Sequence, residues 1–411
     1  MNGHGRSERV VVTGLGLTTP AGLGVSRNWE RITAGDSCAA ADPDLEGIRS
    51  QLSCRIDGFD ATELLGGFAA WRLDRFVQIA IVSTREALAD AGWDPESWDG
   101  SRVGVVLGNS LGGAATMARQ TDAFAAEGPS GVSPMTIPMH MVNMLAGYVA
   151  IDCHAGGPNL VTATACASGT TAVGTARDLL RSGACDVVVA GASEAALTRF
   201  MVSGLSRMGA LSQGNDEPER ASRPFDSARD GFVPAEGAGV LVLERERDAR
   251  ARGAHSRAVV AGYGASCDAR HITAPDPQAR GIRQAVRAAL ADAGTAASEI
   301  EHVNAHGTST PLNDVTEGKA LMSLFPHGPL VNSTKGVIGH PLAAAGAIEA
   351  AYAVLAIEHD SVPPTANTTD VDPELDINLV TRRAAEGPVS TAVSTSLGFG
   401  GHNAALVLTT P

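Results

Sequence analysis

Lysine is almost missing from this chain of 411 residues: Lys319 and Lys335 stand against 29 arginines. Aromatic residues are scarce as well, at 4% of the sequence, which speaks against an aromatic-lined sugar or nucleic-acid site. The six cysteines (Cys38, Cys54, Cys153, Cys166, Cys185 and Cys267) form no Cys-x-x-Cys pair and no Cys/His ligand spacing. Neither a disulfide scaffold nor a metal site is therefore expected. No signal-like or membrane-spanning run is visible, and residues 1–8 read as a polar, disordered tail, so a cytoplasmic protein without a membrane partner is expected. The pairs Gly112-Gly113 and Gly400-Gly401 lack the flanks of a phosphate-binding fingerprint, which leaves no ground for a nucleotide. A formal net charge of −14 argues against nucleic acid as a partner.

What the chain does have is apolar content of 44% and 47 glycines, enough for one large core or two fused domains. Short Val/Leu-rich runs at residues 10–13, 103–107, 187–190, 240–243, 258–261 and 405–408 read as buried strands. Helical patterns over 73–91, 167–180, 278–293 and 341–358 lie between many of them, which makes an α/β layered sandwich. A charged turn near 244–253 divides the chain, so residues 9–253 and 254–411 are expected to be separate halves.

Cys166 lies in Val161-Thr-Ala-Thr-Ala-Cys-Ala-Ser-Gly169, between a strand over 159–164 and a helix ended by Gly183. A random cysteine is most often core filler. A thiol at the first turn of a helix, however, faces unpaired N–H groups and the positive end of the helix dipole, which favour thiolate. Small neighbours leave room there for a substrate. Two further segments, 301–305 and 330–334, read as strands followed by Gly-flanked histidine loops, His306-Gly-Thr-Ser-Thr-Pro311 and Lys335-Gly-Val-Ile-Gly-His340. Histidines just past strand ends sit where open α/β sheets place ligands, and with Cys166 they make a nucleophile-plus-base set. Lys335 is conspicuous in a chain that otherwise writes its cations as arginine: a compact ammonium is needed there.

Six motifs in order now carry a resemblance. They are Val12-Thr-Gly-Leu-Gly16, Thr164-Ala-Cys-Ala-Ser-Gly169, Arg223-Pro-Phe-Asp226 with Arg229-Asp-Gly-Phe232 and Gly237-Ala-Gly239, His306-Gly-Thr-Ser-Thr-Pro311, Lys335 with Gly339-His340, and Gly398-Phe-Gly-Gly-His-Asn403. From about Val10 to Leu408 the chain resembles an elongating β-ketoacyl-ACP synthase of the thiolase superfamily. The resemblance implies a five-layer αβαβα sandwich of two pseudo-duplicated halves, although no repeat is legible as sequence identity. It also implies an acyltransferase that condenses a Cys-bound acyl chain with malonyl-ACP by decarboxylative Claisen chemistry, in fatty-acid or, by preference, polyketide biosynthesis.

Residue by residue, the resemblance makes Cys166 the acyl-accepting nucleophile and His306 and His340 its partners. Lys335 paired with Glu349 would support the second histidine loop, and Asp314, with Glu317, the first. The backbone N–H groups of Cys166 and Phe399 would form an oxyanion hole, Phe399 also serving as a gate. Leu111 would bound the acyl pocket, while Met135 and Thr136 would reach a partner subunit's pocket. Arg72, Arg75 and Arg207 are candidates for docking an acyl carrier protein. No bound cofactor or metal is implied; phosphopantetheine arrives on the carrier protein. A dimer is implied, either with a second copy or with a chain-length-factor-like subunit. The chain departs from fatty-acid enzymes in having Gly66-Gly-Phe-Ala-Ala-Trp-Arg72 where theirs are rich in Lys and Arg, and Gly209 where theirs have Arg. A specialised carrier protein is expected from this.

Relatives in the superfamily separate by residue. Thiolases place a second cysteine where this chain has Gly398-Phe-Gly-Gly-His402, initiating synthases place Asn where it has His340, and chain-length factors lack the nucleophile. Two rival roles stay open: a scaffold subunit shaping a partner's tunnel, and an acyltransferase with an acceptor other than malonyl-ACP.

Overall fold

Glycine, alanine and valine dominate the strands because helices lie almost directly on the sheet backbone. The computed structural model describes residues 8–411, side chains of residues 68 and 69 excepted. All but one residue of the tail expected over 1–8 therefore lies outside the described residues; the remaining one, Glu8, is tied to Arg247 at 3.2 Å. Ten strands form the frame: β1 (Val10–Thr19), β2 (Val103–Gly108), β3 (Asn159–Thr162), β4 (Val187–Glu194), β5 (Gly237–Arg245), β6 (Ala258–Cys267), β7 (His302–Asn304), β8 (Leu330–Asn332), β9 (Thr391–Gly398) and β10 (His402–Thr409). Five helices position the site: α1 (Arg75–Asp90), α2 (Ser168–Arg181), α3 (Arg280–Ala293), α4 (Pro311–Leu324) and α5 (Ala345–His359). Each expected strand and helix is found, most of them longer or shifted by a few residues. The charged turn expected over 244–253 is instead a short helix, Glu246–Ala251.

The spatial strand order is β8-β7-β9-β10-β6-β1-β5-β4-β2-β3. Taken as halves, β1 to β5 and β6 to β10 repeat one topology. In each, the second and third strands pair in parallel, the second and fourth in parallel, and the fifth lies antiparallel between the fourth and the first. The halves meet through a short antiparallel contact, Val11 opposite Val259 and Val12 opposite Ala258. Helix α1 covers β1 and β5 from outside, α3 covers β6 and β10, and α2 and α5 pack against each other between the sheets. This is the five-layer thiolase-like sandwich that the resemblance implied.

The duplication leaves a trace in the sequence, contrary to the expectation that none is legible. Val12-Thr-Gly-Leu-Gly16 and Val260-Ala-Gly-Tyr-Gly264 share a V-x-G-x-G pattern, each in the first strand of its half. A Cβ at Gly14 or Gly16 would lie 2.1 or 1.9 Å from the carbonyl oxygens of Ala87 and Ser83 on α1. At Gly262 or Gly264 it would lie 2.1 Å from those of Ala289 and Ala285 on α3. Glycine at alternate strand positions thus lets a helix settle on the backbone in both halves.

Helix α5 is buried from Ala345 through Ile357. The segment Leu342–His359 is long and apolar enough to cross a membrane, but 83% of it is buried inside the protein, as befits a core helix.

Candidate active site

Cys166, the candidate nucleophile, is set by a tight turn between β3 and α2. Ala165 adopts φ = 51°, a left-handed conformation uncommon for a residue with a side chain. The Ser168 hydroxyl locks it, accepting from the Thr164 N–H at 2.9 Å and donating to the Ala165 carbonyl at 2.6 Å. Cys166 follows in a short 3₁₀ turn, Ala165–Ala167, which feeds α2. The backbone N–H groups of Cys166 itself and of Phe399 lie near enough to its sulfur to favour the charged form. The Gly398 position is forced by the same approach, since a Cβ there would come within 2.7 Å of the Thr164 carbonyl.

The helix start does not make a thiolate here. Burial pushes the Cys166 thiol up to about 11, with the nearby Lys335 charge and the two N–H groups opposing it only in part. The expectation of a resting thiolate is therefore corrected: the dipole of α2 is outweighed by removal of the sulfur from water. The base lies alongside, with His340 Nε2 at 3.2 Å from Sγ.

The two histidine rings stand edge to face, 5.3 Å apart at 84°. His306 follows β7, and its loop is held by a carboxylate from α4: Glu317 accepts the N–H groups of His306 at 2.8 Å and Gly307 at 2.7 Å. Asp314, one turn earlier, accepts from Phe225 and Ser309, and burial raises it to about 6. Lys335 lies in a short helix, Lys335–Ile338, where a plain loop was expected. Its ammonium donates to the His306 carbonyl at 2.7 Å, lies 3.4 Å from His306 Nδ1 and pairs with Glu349. An ammonium has only donors, so this contact assigns acceptor character to Nδ1 and the proton to Nε2.

His340 is fixed by its backbone, donating to Val233 at 2.8 Å and accepting from Ala235 at 3.0 Å. The Phe232 ring meets its imidazole edge-on at 5.1 Å. Burial, and then the Lys335 charge, hold both histidines well below their ordinary range, so they are neutral. The same burial raises Glu349 to about 7 despite its ion pair. The ligand atoms of Cys166, His306 and His340 lie within 4.8 Å of one another, a donor set that a soft divalent ion could share.

A cavity of about 420 Å³ opens on this cluster, lined among others by Leu111, Phe399, Thr308 and Leu342. Met135 and Thr136 are not part of it. Thr136 is buried, its hydroxyl bonded to Gln120 and to the Ser133 carbonyl. Of the docking candidates, Arg207 is exposed beside Met208, a residue of the cavity rim. Arg72 is exposed, with its guanidinium 5.1 Å from the Trp71 ring centre. Arg75 is half-buried and grips the buried Glu236 through two bonds of 2.6 and 2.7 Å. Its sequence neighbourhood concealed this, because Glu236 lies far along the chain. Sequence reasoning also passed over Phe232, Thr308 and Glu194. The first two sit inside quoted motifs, and nothing local marks the third.

Two family descriptions match the chain: Beta-ketoacyl synthase, N-terminal domain, over residues 7–249, and Beta-ketoacyl synthase, C-terminal domain, over residues 257–369. A 3-oxoacyl-[acyl-carrier-protein] synthase 2 of Synechocystis sp. is 41% identical over 406 residues, 97% of each chain. A protein of the same name from Staphylococcus aureus is 41% identical over 409 residues, 98% of each. Among solved structures, the ishigamide ketosynthase/chain length factor superposes with a TM-score of 0.92 at 34% identity, covering 99% of this chain and all of that one. A type II polyketide acyl-carrier protein in complex with its ketosynthase gives 0.92 at 31%, with the same coverage. A fold built twice over one topology, a cysteine and two neutral histidines at one cavity, and relatives matched end to end lead to one assignment: the chain belongs to the β-ketoacyl synthase family of condensing acyltransferases.

Proposed function

We propose that this chain extends an acyl chain held on Cys166 with a malonyl unit delivered on an acyl carrier protein, releasing CO2. The observation that carries the reading is the position of the Cys166 sulfur. It lies 3.2 Å from a neutral His340, with the backbone N–H groups of Cys166 and Phe399 favouring its charged form. In the first step, His340 Nε2 takes the thiol proton as Sγ attacks the acyl thioester of the carrier's phosphopantetheine. The proton then goes to the departing pantetheine sulfur. The N–H groups of Cys166 and Phe399 take the charge on the carbonyl oxygen as the tetrahedral centre forms.

In the second step the malonyl thioester carbonyl lies against the two imidazoles. As the carboxylate leaves as CO2, negative charge collects on that carbonyl oxygen, and hydrogen bonds from the histidines stabilise it. The enolate carbon attacks the Cys166 thioester, and the cysteine leaves as a thiolate that takes a proton from solvent, the one proton that loss of CO2 from a malonate anion consumes. Neutral histidines suit this role: His306, protonated on Nε2, donates directly, and His340 donates from Nε2 in the other tautomer from the one that receives the thiol proton. Lys335 fixes His306 and adds a positive potential beside the site. No step calls for a metal or redox group.

Leu111 bounds the acyl pocket in this reading, and Arg72 and Arg207 form part of the carrier-docking surface. Residues 9–253 supply the nucleophile and 254–411 both histidines, in the cytoplasm. Assembly is as a dimer. Ile137, Met141, Ile151 and Leu160 expose 60%, 42%, 70% and 43% of their surface. Ile137 and Met141 follow Met135 and Thr136 in the chain, Ile151 lies on the helix Met144–Asp152 and Leu160 on the sheet-edge strand β3, a face suited to a second thiolase-fold subunit. The departures at Gly66–Arg72 and Gly209 support a specialised carrier and so a polyketide pathway. The likeness to a ketosynthase/chain length factor favours a heterodimer as the second reading.

Intact mass after incubation with a panel of acyl carrier-protein primers tests the reading. Acyl adducts on the wild type that vanish in Cys166→Ala, together with CO2 release from malonyl-ACP, are expected. No adduct from any primer, alone or with a chain-length-factor partner, would overturn it. Acylation without CO2 release would point to a different acceptor.

A further inference from the structure

The wall of the acyl pocket rests on one buried carboxylate. Glu194, the last residue of β4, is fully buried and pushed up to about 7 by loss of water. Its Oε2 accepts the N–H groups of Ser110 at 3.1 Å and Leu111 at 3.3 Å, and its Oε1 accepts the side-chain amide of Asn109 at 2.9 Å. The rest of the loop is fastened elsewhere. Asn109 bonds the Ser193 carbonyl at 2.8 Å and the Gly112 N–H at 2.8 Å, and Gly113 donates to the His140 carbonyl at 3.0 Å. The Ser110 hydroxyl in turn lies 3.3 Å from the Ala165 carbonyl and 3.2 Å from the Ser168 hydroxyl, the two groups that shape the nucleophile turn.

We propose that Glu194 is a positioning residue that sets the depth of the acyl pocket, holding the Ser110–Leu111 backbone so that Leu111 closes the cavity and Ser110 braces the turn before Cys166. This rests on the reading of Leu111 as the pocket boundary. The geometry makes the carboxylate specific. One oxygen serves two donors and the other serves a third, so the site needs acceptors at both ends of the side chain. Glutamine has the same shape but presents NH2 at one end, which must face either Asn109 or the two backbone N–H groups. If Asn109 turns over to meet it, the Gly112 N–H loses its acceptor. At least one loop contact is lost in each case.

The test compares kcat/KM for long and short acyl primers in wild type, Glu194→Gln, Leu111→Ala and the double variant. Acylation of Cys166 by a short primer serves as the check on folding. Glu194→Gln is expected to change the long-to-short ratio by about tenfold, the scale of one lost hydrogen bond. In the Leu111→Ala background the same change is expected to have little further effect, because both act on one wall. If Glu194→Gln does not fold, Glu194→Asp, which keeps the charge and draws it back, carries the same comparison. A folded Glu194 variant with wild-type selectivity, or effects that simply add in the double variant, would refute the proposal. If Leu111→Ala leaves selectivity unchanged, the pocket assignment itself fails, and the proposal falls with it. Loss of condensation with every primer in the wild type would instead mark failure of the proposed function.

Discussion

The two halves of this protein share one strand order and one helix–strand contact, yet they equip the site differently. The N-terminal half offers a thiol on a strained turn at the edge of an apolar cavity. The C-terminal half offers two imidazoles backed by four buried ionisable side chains: Lys335, Glu349, Glu317 and Asp314. In the proposed reaction the first half needs backbone N–H groups and open space, since its residue would form and break a bond. The second must hold hydrogen-bond donors still while charge develops beside them, and it does so with salt-bridged and hydrogen-bonded charges removed from water. A duplicated scaffold has thus been divided into a covalent side and an electrostatic side.

The sharpest way to break this division is Cys166→Ala, which should abolish acyl-adduct formation by intact mass and all condensation. His306→Ala and His340→Ala test the other side. Each should lower condensation by about 10²–10³-fold, the cost of losing a donor to a developing oxyanion. Only the His340 change should also slow Cys166 acylation. Equal slowing by both in a single-turnover acylation assay would erase the distinction between the halves.

The thiol supplies a pH prediction. With its pKa raised to about 11, the thiolate fraction rises about tenfold per pH unit throughout the neutral range. The rate of Cys166 alkylation by iodoacetamide should therefore climb steadily from pH 7 to pH 9. A plateau near pH 8 would restore the thiolate that the helix start alone suggests.

Lys335→Met sharpens the electrostatic side. It strands Glu349 in the core at an expected cost of about 3–5 kcal/mol by chemical denaturation at pH 8. The sign follows from the carboxyl. Its folded-state pKa already lies above the unfolded value and rises further without the ammonium. The variant's stability therefore falls as pH increases above about 4.5. The deficit should be smaller at pH 6 than at pH 8; the reverse order would exclude Glu349 as the stranded group. The smallest effects concern the scaffold that the halves share. Gly16→Ala and Gly264→Ala should each cost about 1–3 kcal/mol through crowding of α1 and α3. A large cost in one half and none in the other would show that the duplication is one of topology without shared packing.

Much of the site is legible in the sequence because its residues travel in short local motifs. Cys166 with its small neighbours and the Gly-flanked histidines can be read directly, and so can the isolated Lys335. Strand–loop–helix order then predicts where they gather. What cannot be read depends on contacts distant in sequence. Arg75 resembles a docking residue until its partner is seen, because Glu236 is 161 positions away. Met135 and Thr136, expected at a partner's pocket, lie outside this chain's own cavity, and no local pattern records a contact between subunits. Glu194 carries no local signal, since its importance arises only where β4 ends beneath the Ser110–Leu111 loop.

The sequence by itself determined the layered α/β frame, the nucleophile and its two imidazole partners. Apolar periodicity and close-approach glycines act over neighbouring residues, and the chemistry demands those side chains. Tertiary structure alone decided the protonation of the site. The dipole of α2 favours a thiolate, but loss of water in the assembled cavity pushes the thiol up and both histidines down. Desolvation depends on everything that surrounds a group, and no local pattern records it.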